Sequence, residues 1–143
     1  MSYLFDTNVL SELRKRQRQD VNVAAFADAV GWNSIYTSWI VIAELRRGAA
    51  LIRRRDAIQA KGLDSWIVDV RQRLDGRILV VDEAVAQAWA TLMVPNPRSP
   101  MDALIGATAL AHGLTLVTRN VRDYAGTGVD LLDPWLFTSP PSP

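Results

Sequence analysis

The chain has no cysteine and a single histidine, His112. The first absence removes disulfides and thiolate metal sites. The second removes the histidine pair that acid–base phosphodiester cleavage without a metal would use. Lysine is nearly missing as well: Lys15 and Lys61 are the only two, so the positive charge is almost all arginine, the side chain suited to bidentate phosphate or carboxylate recognition. No apolar run reaches the roughly 20 residues that span a bilayer. The first residues enter a strand pattern directly, which leaves no room for a signal peptide, and a soluble cytoplasmic protein is the expectation. A net charge of +1 with 22% charged residues argues against both a disordered chain and a surface that coats nucleic acid broadly.

What is present is enough apolar material for a core. The 143 residues are 49% hydrophobic, which suits one compact domain, placed at 1–137. Short β-branched or aromatic runs predict strands at Tyr3–Asp6, Ser34–Thr37, Arg77–Asp82, Thr115–Thr118 and, more weakly, Val129–Leu132. Between them, helical patterns cover Thr7–Arg14, Val21–Val30, Trp39–Ala60, Leu63–Leu74, Glu83–Met93 and Met101–His112. His112 before Gly113 reads as a helix C-terminus, where histidine favours the dipole. The alternation predicts an α/β fold, a central and mainly parallel sheet flanked by helices. Arg14–Gln19 is too hydrophilic to pack, Pro95–Pro100 cannot be helical throughout, and residues 138–143 form a tail expected to be disordered.

Four groups of polar residues interrupt this apolar pattern. Tyr3-Leu4-Phe5 ends abruptly in Asp6-Thr7-Asn8, so a buried strand delivers a carboxylate to the carboxyl edge of the sheet, where open α/β folds bind ligands. Asp6 could equally be a helix cap, the role assigned to Asp82 in Val80-Val81-Asp82-Glu83. Glu44 stands among Ile40, Val41, Ile42 and Leu45; the plainer alternative is a rim residue paired with Arg47 one turn on. Asp102 opens the small-sided helix Asp102–Ala109, although Ser99-Pro100-Met101-Asp102 also fits a capping box with proline at the first helical position. Asn120 and Asp123 follow the Thr115–Thr118 strand and fall on one face if the chain makes a helical turn there. Oxygen-only ligands select hard cations such as Mg²⁺ or Mn²⁺, and a divalent cation points to phosphodiester chemistry.

Asp6-Thr7-Asn8, Ala43-Glu44-Leu45-Arg46-Arg47-Gly48, Asp102–Ala109 and Thr118-Arg119-Asn120, in that order, make the whole chain resemble a PIN domain, most nearly the VapC and FitB type toxins of type II toxin–antitoxin modules. The resemblance implies a Mg²⁺- or Mn²⁺-dependent endoribonuclease restrained by a small cognate antitoxin. It further implies a homodimer and a larger assembly that reaches promoter DNA only through the antitoxin. Asp6, Glu44 and Asp102 match the family's three main acids and its metal ligands. Many members carry an acid where this chain has Asn120, so the fourth acidic role passes to Asp123 or becomes a neutral contact. Thr7, Asn8, Thr118 and Asn120 are expected to hydrogen-bond the acids, their waters or the substrate. Arg46 and Arg47, beside Glu44, are the expected antitoxin contacts, and Arg14–Arg18 and Arg53–Arg55 are candidates for RNA or antitoxin contact.

Two enzyme classes fit worse. A haloacid-dehalogenase-type phosphatase needs a second acid two residues after the first, where Asn8 stands. A receiver domain needs a lysine after a late strand, and neither lysine lies near one. The remaining alternative is a PIN-fold interaction protein with little turnover, acting mainly as an antitoxin partner in promoter repression.

Overall fold

The computed structural model describes residues 1–139. Five parallel strands form one sheet: β1 (Tyr3–Phe5), β2 (Ile35–Ser38), β3 (Ile78–Leu79), β4 (Thr115–Val117) and β5 (Leu131–Leu132), in the order β3-β2-β1-β4-β5. Six helices connect them: α1 (Thr7–Leu13), α2 (Val21–Val30), α3 (Trp39–Arg53), α4 (Ala57–Arg73), α5 (Glu83–Leu92) and α6 (Pro100–His112). From β1 the chain builds outward first to β2 and β3, then returns to the other side for β4 and β5. Right-handed crossovers make that reversal place helices on both faces, with a crevice at the carboxyl ends of β1 and β4. Adjacent Leu4 and Phe5 point to opposite faces and both are fully buried, so the central strand is covered on either side.

Side chains with oxygen acceptors start the helices. Asp20 accepts from the amides of Asn22 and Val23, Ser38 from Val41, Asp56 from Gln59 and Asp82 from Val85. Asp82 is thus the cap that its sequence context indicates. Ser99 is not: its side chain makes no capping bond, and Pro100 alone marks the first turn of α6. Gly113 adopts φ +65 after His112 and ends α6 as expected.

Other boundaries differ from the sequence pattern. The strand expected over Arg77–Asp82 pairs only at Ile78 and Leu79, and the basic run Arg14–Gln19 contains a short 3-10 turn at Arg16–Arg18. The long helix expected to reach Ala60 ends at Arg53, and the chain turns at Arg54–Asp56 rather than at Lys61-Gly62. Asp56 caps the new helix, and Arg46 and Arg53 of α3 both pair with Asp64 of α4, tying the hairpin closed. A lone glycine costs a helix only about 1 kcal/mol. That is less than α4 gains by burying Ala60, Leu63, Ile67 and Val70. Of the expected tail, Thr138 and Ser139 are exposed and outside any element; residues 140–143 lie outside the described residues.

Two helical glycines separate propensity from packing. A methyl group on Gly62 would meet nothing within 4 Å, whereas on Gly106 it would lie 3.0 Å and 3.1 Å from Cε1 and Cδ1 of the buried Tyr124 ring. Gly62→Ala is expected to stabilise by about 0.5–1 kcal/mol. Gly106→Ala should destabilise, because overpacking of roughly 1–3 kcal/mol outweighs the same helical gain. Urea midpoints check both; stabilisation by Gly106→Ala would show that the Tyr124 ring yields.

Candidate active site

Asp6 and Thr118 stand one residue beyond the paired residues Phe5 and Val117, level with each other where the strand order reverses. The Asp6 amide donates to the Val117 carbonyl at 3.0 Å, which carries the ladder one step past the strand. The carboxylate is nearly buried, and each oxygen has one donor: Oδ1 takes the Thr7 amide at 2.7 Å and Oδ2 takes the Thr118 hydroxyl at 2.8 Å. Capping of α1 and membership of a polar cluster are therefore both true of Asp6.

Thr118 organises the cluster. Its hydroxyl accepts from Asn8 Nδ2 at 3.3 Å and from the Asn120 amide at 3.1 Å. With its acceptor sites occupied, its one proton goes to Asp6. Asn8 turns its other amide atom to the Arg119 amide at 3.2 Å. Asn8 thus braces the loop after β4 instead of touching a carboxylate. Thr7 reaches the other way and donates to Glu44 Oε1 at 2.8 Å, joining α1 to the second turn of α3. Glu44 is half-buried and forms no ion pair with Arg47, so the rim-pair alternative does not hold.

Asp102 lies in the first turn of α6, half-buried, and lines a cavity of about 320 Å³ with Ser99, Asp123 and Tyr124. Asn120 is not on that wall. A 3-10 turn at Val121–Tyr124, opened by the Asp123 amide donating to the Asn120 carbonyl, links the two residues. Glu44 lines a different hollow with Thr7, Ser11, Arg14, Leu45 and Trp66. Among the described residues, no three histidine, aspartate or glutamate side chains converge tightly enough to hold an ion outright.

The acids nonetheless act on one another. Burial raises the Asp6 pKa above the ordinary aspartate range, and the Glu44 and Asp102 charges raise it further against the bonds from Thr118 and Thr7. Asp102 is raised first by burial and then by Asp123, with the Ser99 hydroxyl partly offsetting both. Desolvated, mutually repelling carboxylates with only oxygen donors suit a hard divalent cation, which would relieve the repulsion. In that sense the donor set fits a metal, with Asp6, Glu44 and Asp102 as the groups to hold it.

Two residues near the acids escaped the sequence pattern. Arg98, in the proline-punctuated connection, donates to the carbonyls of Leu92, Asp123 and Ala125 and so fixes the segment that carries Asp123. Tyr124 is buried, and its hydroxyl has no hydrogen-bond partner. An arginine in a loop and an aromatic in a turn carry no distinguishing periodicity. Glu12, also buried, was missed for the same reason: it accepts from Lys15 and the Asp20 amide and closes the turn between α1 and α2.

Residues 3–125 match the family described as "PIN domain". The VapC ribonuclease Y4jK of Sinorhizobium fredii is 36% identical over 140 residues, 92% of this chain and 96% of that protein. Toxin FitB of Neisseria gonorrhoeae is 32% identical over 140 residues, 92% and 97% of the two chains. The solved structure of FitAB bound to an IR36 DNA fragment superposes with a TM-score of 0.84 at 29% identity, covering 96% of this chain and 98% of that one. The match over most of the length and the shared fold agree: this chain belongs to the PIN domain family.

Proposed function

We infer that the chain is the toxin of a type II toxin–antitoxin module and hydrolyses RNA, with a divalent cation, Mg²⁺ or Mn²⁺, held by Asp6, Glu44 and Asp102. The observation that carries the reading is Asp6, nearly buried at the reversal of the strand order and electrostatically coupled to Glu44 and Asp102. The relatives named ribonuclease and toxin support the same activity. When bound, the cation supplies Lewis-acid stabilisation of the scissile phosphate and a more acidic water. The chain's own part is to keep the carboxylates in place: Thr118 fixes Asp6, Thr7 fixes Glu44, and the Arg98 bonds hold the backbone of Asp123 beside Asp102. With water as nucleophile, the products carry a 5′-phosphate and a 3′-hydroxyl.

Asp123 is the better fourth acid, because it can carry charge and shares a cavity wall with Asp102. Asn120 remains a candidate substrate contact, exposed at the mouth of the Thr118 loop. We place the antitoxin beside Glu44, at Arg46 and Arg47 of α3, next to the hollow that Glu44 lines. Arg46 already pairs with Asp64 at 3.5 Å, whereas the exposed Arg47 forms no ion pair among the described residues. The place of action in this reading is the cytoplasm, in a dimer joined by antitoxin. No described helix is long and apolar enough to cross a membrane.

Protons and cation compete for the same carboxylates. A pKa raised on folding means that the folded chain holds its proton more tightly. Asp6 therefore contributes stability below its unfolded pKa, and this is lost as pH rises through the folded value. The metal-free wild type should lose stability as pH rises from about 4 towards neutrality. Asp6→Asn, which can still cap α1, should be at least as stable at pH 7 and lose that advantage near pH 4. Mg²⁺ should raise the wild-type Tm, and Asp6→Asn combined with Asp102→Asn should abolish most of the rise. Equal metal-induced shifts in wild type and double variant would place the ion elsewhere.

On a generic single-stranded RNA, Asp123→Asn is expected to slow cleavage on the order of ten-fold or more, and Asn120→Ala less. The opposite ranking would assign the fourth role to Asn120. Titration calorimetry with the antitoxin should show Arg47→Ala binding more weakly by about 2 kcal/mol, with an unchanged circular-dichroism spectrum. An unaltered affinity would move the contact away from this rim.

A further inference from the structure

Tyr124 is held by more contacts than its ring alone would need. The Tyr124 carbonyl accepts from the Thr127 hydroxyl at 2.6 Å and from the Thr127 amide at 3.2 Å, and Arg98 fixes the carbonyls on either side of it. Its ring lies against Gly106, the one helical glycine whose missing Cβ leaves space for it. Gly106 is four residues after Asp102 on α6, so the two share a helix face and the ring runs beside the Asp102 turn. Tyr124 lines the cavity that Asp102 and Asp123 also line. Only 3% of the residue is exposed, and its hydroxyl meets no acceptor.

A phenylalanine would fill the same space without stranding a polar atom, and a buried donor without an acceptor is unfavourable. The neighbouring acids are not its partners, yet their charge reaches it: burial first, then Asp6, Asp102, Glu44 and Asp123 in that order of strength, keep the phenol protonated far above the usual tyrosine range. The group is thus a neutral donor at every physiological pH, fixed in the cavity that Asp102 and Asp123 also line. What it lacks is an acceptor that arrives with the site's occupant. The other stranded buried donor among the described residues, Trp89 Nε1, belongs to the separate α5–α6 cluster.

We propose that the Tyr124 hydroxyl is a positioning donor for the hydrated divalent cation, giving its hydrogen bond to a water of the ion's hydration shell. Mg²⁺ gives up its waters reluctantly and usually keeps several, so a neutral donor among the carboxylates complements an ion held partly through water. This also accounts for acids that flank a cavity without closing on an ion directly. The proposal rests on the metal-dependent reading above. Partners of this kind are typically worth roughly 10–100-fold in metal affinity or activity.

The test is Tyr124→Phe in the full-length chain, with Mg²⁺ alone as the probe. Without metal, the variant should melt at the same temperature as wild type or higher, because a stranded hydroxyl has been removed. Its Mg²⁺ affinity by titration calorimetry should fall roughly 10-fold, with a smaller metal-induced rise in Tm. RNA cleavage at saturating Mg²⁺ should lose kcat while KM for the RNA stays put. A metal-free variant that is less stable but binds Mg²⁺ as wild type does would make Tyr124 a core residue only and overturn the proposal. Unchanged Mg²⁺ affinity and kcat at unchanged stability would overturn it as well, leaving the ribonuclease reading intact. If the wild type itself neither binds Mg²⁺ nor cleaves RNA, both readings fall together.

Discussion

The nearly buried carboxylate of Asp6 is the constraint round which the rest of the site is arranged. Removing a charge from water is costly unless donors replace the lost hydration, and here each oxygen has one. One donor is the backbone at the start of α1, which ties the acid to the helix that follows β1. The other is Thr118, which ties it to β4, 112 residues further on. Asp6 thus joins the first strand to the last crossover, and the reversal in strand order that creates a crevice also supplies the donors that keep a carboxylate in it.

From that point the polar network spreads without adding positive charge. Thr118 is steadied by Asn8 and the Asn120 amide, and Thr7 carries the connection to Glu44. The charged pairs among the described residues lie elsewhere: Lys15 with Glu12 in the first turn, Arg46 and Arg53 with Asp64 across the α3–α4 hairpin. Neutral donors hold the acids in place while leaving their charge uncompensated. An arginine paired with the acids would have neutralised them, whereas Arg98, on the cavity wall with Asp102 and Asp123, gives its bonds to backbone carbonyls. On the proposed metal-dependent reading a cation relieves the acids' mutual repulsion, and β1, α1 and α3 are anchored by a separate apolar core.

The side of the cavity built from α6 and the turn after β4 follows a different principle. There the packing is close, glycine against an aromatic ring, and the backbone is held by one arginine donating to three carbonyls. Asp102 and Asp123 stand on rigid supports; the Ser99 hydroxyl lies beside the Asp102 carboxylate, and neither acid forms an ion pair among the described residues. Fixed donors round Asp6 and Glu44, and fixed backbones under Asp102 and Asp123, are two ways of preorganising acids.

Much of this was legible in the residue pattern. A strand that ends in Asp6, apolar neighbours round Glu44 and an acid opening the small-sided α6 are local signals, because burial imposes a period that a carboxylate visibly breaks. The alternation of strands and helices settled the α/β class for the same reason. The turn between α3 and α4 was not legible: Gly62 is the stronger local breaker, but the break falls at Asp56, where capping and the Asp64 pairs outweigh a glycine's small cost. Nor could spacing decide between Asn120 and Asp123, or show that Asn8 supports Thr118, since a bond across 110 residues leaves no trace in neighbouring positions. Arg98 and Tyr124 belong to the same class. Their roles depend on which backbone carbonyls, which glycine and which acids the folded chain brings beside them, and only tertiary structure decides that.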